Sequence, residues 1–524
     1  MRSFPVWASL VILLAALAVS CDGPAVPPAA ERARSDNILH YDVNAPFTSL
    51  NPIEVYASGS AMIFPLLYDY LFAPNAQGKL EPGLARGWTY DPGTYTWTIY
   101  LREDARFHNQ KPVTSEDVKY ALDKFLRKRP AALYGLVDHV SLLSPDAISI
   151  RLKEDGLRFP EKIWNMEVVP RPSNGKTDYY NHPVGSGPFK FEYKKGEEEV
   201  GLVANENYFQ GRPALDRVVF HFQPDKERTW TRLLSGETHV GHEISPKNYE
   251  IIRQYEDEFY FGLTTLERYS ILLYNTADPL FSDMRVRQAL SHAIDREYIV
   301  EEILNGYGKL ALGPMGVNAP FQNQEVKRIP YNPQEALKLL GEAGWSYDKD
   351  SCCLGKGGKP FEFTILIFEK NQVEKGVAQY IRLCLNDVGV KVRLRPLPFE
   401  EICSRYLRND AFQAVLTEFK AVYGNSEAFR EQWSGDTSRC SEAGCFEHPE
   451  VTALIRKALE ESDPLVRNAL LYEADALITS LQPGTFLFHK TAIDVMSKRF
   501  KVLLPFSLTH KGIYDLRYAS VDPD

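Results

Sequence analysis

The sequence lacks the short motifs by which many enzymes are recognised. It has no nucleophile elbow, no His-Glu-x-x-His pair and no phosphate-binding loop, since the glycine-rich segment 355–360 carries no Ser or Thr after its lysine. It also has no Cys-x-x-Cys pair of the kind found in structural zinc sites. These absences argue against the common hydrolase, nucleotidase and zinc classes. We predict a protein that is not an enzyme, with no catalytic residues, no metal and no cofactor.

Basic charge and long apolar runs are also scarce. The chain has 60 Lys and Arg residues against 69 Asp and Glu residues, a formal charge of -9. A negative surface repels phosphate backbones, which argues against nucleic acid as a partner. After an N-terminal apolar run, no stretch is long enough to cross a bilayer, so no transmembrane domain is expected. The length of 524 residues predicts roughly two to four globular domains.

The N-terminal apolar run indicates export. It extends from Val6 to Val19 after a basic start, a length typical of a secretory signal and short for a membrane span. The residues 17–20 that precede Cys21 resemble a bacterial lipobox, in which the cysteine is lipidated and becomes the mature N-terminus. We predict a signal peptide over residues 1–20, with an ordinary cleaved signal or an uncleaved anchor as alternatives. Residues 21–36, rich in Pro and Ala, are expected to form the lipidated N-terminus and a flexible linker.

The remaining cysteines follow in the second half of the chain: Cys352, Cys353, Cys384, Cys403, Cys440 and Cys445. In an exported protein such cysteines can form disulfides. Cys440 and Cys445 flank a short polar loop and are the favoured pair. The other connectivities stay open, and Cys384, on an apolar helical face, fits a buried free thiol equally well.

Local patterns mix strands and helices. Alternating apolar residues predict a strand over 94–101, and the segments 218–222 and 361–368 are further strand candidates. Apolar stripes of helical period predict helices that begin after Thr114, Asp283 and Asn332, the last ending at Gly344. The fold class is therefore α/β, or mixed α+β, with several domains.

Several segments, in chain order, resemble the family 5 solute-binding proteins of bacterial ABC importers, which bind dipeptides, oligopeptides or nickel. The similar segments are 50–52, 80–122, 183–191, 205–220, 281–300 and 331–345. Gly185, Gly187, Arg285 and Arg287 lie in these segments, and we interpret them as scaffold residues rather than as ligand contacts.

The resemblance implies a type II periplasmic-binding-protein fold, with two lobes around a ligand cleft and an inserted third domain. Lobe I would comprise residues 37–72, 184–270 and 483–524. The inserted small domain would span 73–183, and lobe II would span 271–482. Closure of the lobes on a solute would present the complex to a permease.

The resemblance also implies candidate cleft residues. Tyr56, Ala57 and Ser58 fall where oligopeptide binders use main-chain groups to pair with an extended ligand. Arg268 and Tyr269 match a cleft-lining stretch, and the Arg268 guanidinium is suited to a ligand carboxylate. An exposed arginine on a solvated face is the alternative for Arg268.

The segment 418–429, EFKAVYGNSEAF, resembles the pattern G-W-x-A-D-Y-x-D-P-x-x-F of peptide binders and departs from it. We predict that Phe419, Val422 and Asn425 line the cleft. Phe419 replaces the tryptophan, and Val422 replaces the aspartate that holds the peptide's terminal ammonium. Because valine cannot balance a buried cation, either another carboxylate such as Glu418 takes this role or the ligand lacks the ammonium.

The resulting hypothesis is a lipid-anchored, monomeric receptor that delivers a peptide or other small organic solute to an ABC permease and ATPase. Its expected location is the periplasmic face of the inner membrane, or the outer cell surface in a Gram-positive organism. A nickel-chelate, sugar or signal-molecule receptor is the alternative of the same fold, and a secreted hydrolase is a minor one. His239 and His242 are weighed as metal ligands, with surface or structural roles preferred.

Overall fold

The computed structural model describes most of the chain after residue 36. The described residues are 37–53, 59–74, 80–127, 135–154, 156–157, 159–172, 182–316, 326, 328–349, 352–369, 371–407, 411–421, 426–434, 446–461, 463–501 and 520–521. In these ranges no helix combines the length and apolar character needed to cross a membrane. The predicted signal peptide and linker, with Cys21, lie outside the described residues.

The first strands are β1 Ile38–Val43, β2 Phe72–Pro74, β3 Leu80–Pro82, β4 Ala85–Asp91, β5 Thr96–Leu101, β6 Val137–Ser144, β7 Ala147–Leu152, β8 Phe189–Lys195, β9 Glu199–Ala204, β10 Arg217–Phe222 and β11 Val240–Gly241. They are followed by β12 Phe259–Tyr274, β13 Gly308–Leu310, β14 Ser346–Asp348, β15 Cys353–Lys356, β16 Lys359–Pro360, β17 Glu362–Phe368, β18 Lys391–Leu397, β19 Ala414–Lys420, β20 Gly484–Ser497, β21 Phe500–Lys501 and β22 Ser520–Val521. The α-helices are α1 Phe64–Leu67, α2 Ser115–Arg127, α3 Phe159–Ile163, α4 Lys226–Ser235, α5 Pro246–Ile252, α6 Met284–Ala293, α7 Arg296–Tyr298, α8 Pro333–Glu342, α9 Gln372–Asp387, α10 Phe399–Glu401, α11 Ser426–Trp433, α12 Pro449–Glu460 and α13 Pro464–Leu481.

One sheet of 11 strands runs through the molecule in the order β18-β17-β19-β12-β20-β11-β1-β10-β9-β8, with β13 added beside β20. Its two longest strands, β12 with 16 residues and β20 with 14, pair antiparallel at its centre. The half that contains β17, β18 and β19 is joined to the half that contains β1 and β8–β11 through this ribbon. A movement of one half against the other must therefore bend β12 and β20.

Each half of the sheet buries apolar side chains on both faces. In the β17–β19 half, one face contributes Leu272, Leu416 and Phe488 to a core beneath α6, α8 and α9. The opposite face contributes Ile271, Val415 and Phe486 to a core that includes residues of α11, α12 and α13. In the other half, the corresponding cores form around Tyr41, Val240 and Met496 on one face and Phe259, Ile493 and Val495 on the other. The opposite placement of Ile271 and Leu272, and of Val415 and Leu416, follows from the period-2 geometry of β structure. Phe486 and Phe488 reach opposite faces because the register of β12 and β20 shifts between Ser270 and Ile271.

A separate sheet, in the order β4-β5-β7-β6, packs against α2. The strand predicted from residue 94 begins at Thr96, because Tyr95 has a positive φ of 52° at the end of the hairpin turn between β4 and β5. The strands predicted over 218–222 and 361–368 are confirmed as β10 and β17.

The three predicted helix starts are confirmed. The Thr114 backbone N–H donates to the Asp117 carboxylate at 2.9 Å at the start of α2. The Asp283 carboxylate accepts from the Arg285 N–H and begins α6, while the Asn332 side chain begins α8. Gly344, with a φ of 88°, ends that last segment as expected, since this backbone conformation favours glycine.

The residues interpreted as scaffold make structural contacts. A Cβ on Gly185 would overlap the Leu67 carbonyl, so close backbone approach rather than an unusual φ explains this glycine. The buried Arg287 guanidinium donates to the Leu481 carbonyl at 2.7 Å and the Gln482 carbonyl at 2.9 Å. Arg287 therefore ties α6 to the end of α13.

Of the described cysteines, Cys352 and Cys384 are free thiols. Cys384 is buried on α9, in agreement with its interpretation as a buried free thiol. The favoured disulfide between Cys440 and Cys445 lies outside the described residues.

Candidate functional site

The pairing of β12 with β20 is interrupted where the ribbon passes from one half of the sheet to the other. The register shifts between Thr265, paired with Thr491, and Tyr269, paired with His489. Three residues of β12 thus bulge opposite a single residue of β20, Lys490, and such bulges bend strands and redirect side chains. Charged and polar side chains collect on both sides of this hinge bulge.

On the side of β11, two carboxylates are held by partners from neighbouring elements. Arg268, in the bulge, is paired with Glu243 at 3.0 Å between Nη2 and Oε1. The fully buried Asp494 contacts His242 at 2.7 Å between Oδ1 and Nδ1 and accepts from the Glu243 N–H at 3.3 Å. Glu243 itself has a φ of 50°, a conformation that non-glycine residues seldom adopt and that concentrates at functional sites.

On the opposite side of the bulge, Lys490 of β20 forms an ion pair with Glu418 of β19. Glu374, in the first turn of α9, is buried nearby. Burial raises the pKa of the Glu374 carboxyl to about 7, which the positive charge of Lys490 opposes and the negative charge of Glu418 reinforces. This side of the bulge therefore carries two acids around one ammonium group.

Behind the bulge, on the α13 face of the sheet, four polar side chains are enclosed among apolar ones. We call Tyr269, Trp433, Asp475 and Thr479 the polar chamber; their residues are 0%, 0%, 3% and 5% exposed. The Trp433 indole lies close enough to the Tyr269 hydroxyl to oppose the rise in its pKa that burial causes. Neither of these groups, nor the Thr479 hydroxyl, makes a hydrogen bond of normal geometry with described residues. Buried polar groups without such partners are uncommon in folded proteins.

Asp475 is the charged member of the polar chamber. Its Oδ1 accepts one hydrogen bond, from the Met315 N–H at 3.3 Å. Burial raises the pKa of the Asp475 carboxyl to about 7, and burial together with the Asp475 charge raises the pKa of Tyr269 well above its ordinary value. A Cβ on Gly313 would lie 2.9 Å from Asp475 Oδ1 and would overlap Thr479 Oγ1, so the backbone at Gly313 closes one wall of the chamber.

Of the cleft residues predicted from sequence, three are described. Arg268 is about half exposed and engaged by Glu243, whereas Tyr269 is fully buried. The ring of Phe419 lies 6.0 Å from those of Tyr269 and Trp433. Glu418, considered as a substitute acid, is already paired with Lys490. Tyr56, Ala57, Ser58, Val422 and Asn425 lie outside the described residues, so the cleft assignments stay predictions.

Sequence reasoning missed Glu243, Lys490, Asp494, Asp475 and Thr479. Asp475 and Thr479 do leave a signal, because they interrupt the apolar stripe of α13 formed by Leu471, Ala474 and Ile478. The others are brought to the hinge by pairing between distant strands. No local pattern reports such pairing.

The histidines considered as metal ligands have other neighbours. His239 Nδ1 accepts from the His40 backbone N–H at 3.0 Å, and His242 is held by Asp494. Within the described ranges, no group of three or more His, Cys, Asp or Glu side chains is arranged to hold a metal ion.

The chain resembles known binding proteins along most of its length. The family model for bacterial extracellular solute-binding proteins, family 5 (middle region), matches residues 79–439. The oligopeptide-binding protein AppA of Bacillus subtilis is 26% identical over 408 residues, which cover 74% of this chain and 74% of AppA. The nickel-binding periplasmic protein of Escherichia coli is 26% identical over 375 residues, covering 66% of this chain and 68% of that protein.

Solved structures share the fold. NikA from Brucella suis, crystallised with Fe(III)-EDTA, superimposes with a TM-score of 0.83 at 22% identity, covering 93% of this chain and 100% of that one. The two-lobed architecture with an inserted domain predicted from sequence is therefore confirmed.

Proposed function

Because the chain belongs to the family 5 bacterial extracellular solute-binding proteins, we propose that it captures a small solute between its two lobes and delivers it to an ABC importer. Its relatives are binding proteins of such importers. The observation that carries the proposal is the hinge bulge, where the β12–β20 ribbon joins the two halves of the sheet. Closure around such a ribbon buries a solute without covalent chemistry.

The predicted lobes are part of the proposal. Residues 37–72, 184–270 and 483–524 would form lobe I, 73–183 the inserted domain and 271–482 lobe II. The separate cores on the two halves of the large sheet, and a further core around β4–β7, support a division into three such units. Leu487 and Phe488 of the last lobe I segment, however, pack in the same core as lobe II residues. Arg268 and Glu243 would then lie at the boundary between the lobes.

A peptide is the first candidate solute, and a metal chelate is the second. Peptide capture is supported by the similarity to AppA and by the polar chamber. Chelate capture is supported by the similarity to the nickel-binding protein and by His242. Asp494 holds one ring nitrogen of His242, as carboxylates commonly do for metal-binding histidines, and the other ring nitrogen lies 3.8 Å from Glu243 Oε1.

We further propose that Cys21 carries a lipid and that residues 21–36 link it to the folded body. This arrangement keeps the receptor close to its permease. Replacement of Cys21 by alanine should release the protein from the membrane fraction. Retention of the variant in that fraction would contradict lipid anchoring.

Mass spectrometry of solute released from protein purified without denaturation tests the function directly. Thermal shift with peptides of two to five residues, nickel–histidine and sugars then ranks the candidates. A ligand at ~100 times its dissociation constant should stabilise the protein by ~2.7 kcal/mol. If no solute is released and none raises the melting temperature, the proposed function is wrong.

A further inference from the structure

Burial of the polar chamber lowers the stability of the fold, and packing alone does not require polar residues at these positions. On the same face of α13, Leu471, Ala474 and Ile478 are apolar and fully buried, and the chamber adjoins the rings of Phe419 and Phe486. Apolar residues of similar size at such positions are commonly at least as stable as polar ones. A carboxyl buried without a cation is retained at a cost, and such local costs concentrate at functional sites.

The chamber contains groups suited to a cation. An ammonium group has three N–H donors and no acceptor. The Asp475 carboxylate and the hydroxyl oxygens of Tyr269 and Thr479 can accept these donors, and the rings of Tyr269 and Trp433 can attract a cation through their faces. Asp475 has no ion-pair partner in the part of the chain that the structure describes, so its negative charge is available for a ligand.

Other ligand groups fit less well. A carboxylate or phosphate would be repelled by the Asp475 charge in a medium that screens charges poorly. A neutral hydroxyl would leave that charge unbalanced. A primary ammonium satisfies both the charge and the acceptors.

We propose that the polar chamber binds the primary ammonium group of the transported solute, with Asp475 as its carboxylate partner. The proposal rests on the proposed function and specifies its solute class. It would also resolve the departure at Val422, because α13 would supply the acid that the 418–429 segment lacks. Asp475 is then a specificity-determining residue that is distant in sequence from the segment it complements.

The test compares matched solutes on the purified mature protein. Trialanine is compared with N-acetyl-trialanine, and glucosamine with N-acetylglucosamine, by calorimetry at pH 8. For wild type we expect the free amine of at least one pair to bind, and more tightly than its acetylated form. Asp475→Asn should weaken binding of that amine by about 30-fold or more, as loss of one partner of a buried charge pair does. Binding of the acetylated form should be unchanged.

Two further variants separate the charge from the fold. Thr479→Val removes one acceptor at constant shape and should weaken amine binding by about threefold to tenfold. Glu473→Gln removes an exposed carboxylate from the same helix, two residues away, and should have no effect.

The outcomes distinguish this inference from the proposed function. If wild type binds these solutes without preferring the amine, or if Asp475→Asn keeps the preference, the inference is wrong and solute capture stands. If wild type binds no member of either pair but binds nickel–histidine, the ammonium site is again wrong while the family function holds. If no solute of any class binds, both fail.

Discussion

Two buried carboxyl groups in the β17–β19 half of the molecule, Glu374 and Asp475, differ in what surrounds them. Each is 3% exposed, and burial raises each pKa to about 7. Glu374 lies at the start of α9, where the helix dipole favours an acid, and the Lys490 ammonium group is close. Asp475 lies in the interior of α13, with one backbone N–H donor and no such cation among the described residues. Helix position and a nearby cation therefore explain how the protein tolerates the buried Glu374 carboxyl. Neither explains the buried Asp475 carboxyl.

The contrast indicates how a ligand-binding face of the sheet differs from a face that only supports the fold. Glu374 and its neighbours already balance much of their charge inside the protein, so that face of the sheet can remain closed. Glu374 Oε2 also lacks a hydrogen-bond partner, but in the polar chamber on the opposite face three groups lack one and no described cation offsets the Asp475 charge. A ligand gains hydrogen bonds most readily from groups that the protein itself has not satisfied.

The largest expected effect is on stability. The raised pKa of Asp475 means that the folded state binds a proton more tightly than the unfolded state, so stability falls as pH rises from about 4 to about 7. Asp475→Asn removes this penalty and should stabilise the unliganded protein at pH 8 by up to about 4 kcal/mol, with little change near pH 4. Urea unfolding at both pH values measures the difference. A variant less stable than wild type at pH 8 would show that Asp475 has a structural partner.

Glu374→Gln should give a smaller gain. Its carboxyl titrates in the same direction, but its pKa rises less, from 4.5 to about 7, because the attraction of Lys490 opposes the effect of burial. We expect a gain of up to about 3 kcal/mol at pH 8 in the same urea measurement, with solute binding unchanged. Equal gains in the two variants would remove the distinction between the two regions.

The sequence predicted the fold better than the site for physical reasons. Helix starts such as Thr114, Asp283 and Asn332 are encoded by residues within one turn, and the strand predicted over 94–101 is encoded by local alternation. The scaffold roles of Gly185 and Arg287 followed from residue type and position. The site depends on β12 meeting β19 and β20, which brings Arg268, Glu418 and Lys490 together across long sequence separations.

Tyr269 illustrates the limit of local reasoning. The sequence predicts that Tyr269 lines the cleft, which stays a prediction. Its burial beside Asp475 could not be predicted, because the two residues are separated by about two hundred positions. Leu471, Ala474 and Ile478 mark the buried face of α13. Only the folded structure shows that Asp475, which interrupts these apolar residues, lies close to the Tyr269 hydroxyl.

If the polar chamber binds an ammonium group, its affinity should follow the ionisation of Asp475. The pKa of about 7 predicts that trialanine binds about fivefold more weakly at pH 6 than at pH 7, a range in which its amino group stays mostly protonated, because the neutral acid attracts a cation less. The titratable groups facing Asp475 are Tyr269 of β12 and Tyr472 of its own helix, and burial raises the pKa of both. Calorimetry across this range should give a flat profile for Asp475→Asn. If the trialanine affinity of wild type did not change with pH, amine binding would not depend on the ionisation of Asp475.

The smallest expected effect concerns the partnered side of the hinge bulge. Arg268→Gln breaks the ion pair with Glu243, but because Arg268 is about half exposed, the loss of stability should stay below about 1 kcal/mol and shrink further in high salt. Glu243→Gln, measured beside it in urea at low and high salt, should behave alike if the pair acts as a unit. If either variant lowered the free energy of unfolding by several kcal/mol, the remaining partner would be a buried charge without compensation, as Asp475 is in the polar chamber. In that case unbalanced charge would occur on both sides of the sheet, and the polar chamber would no longer differ from the hinge bulge in this respect.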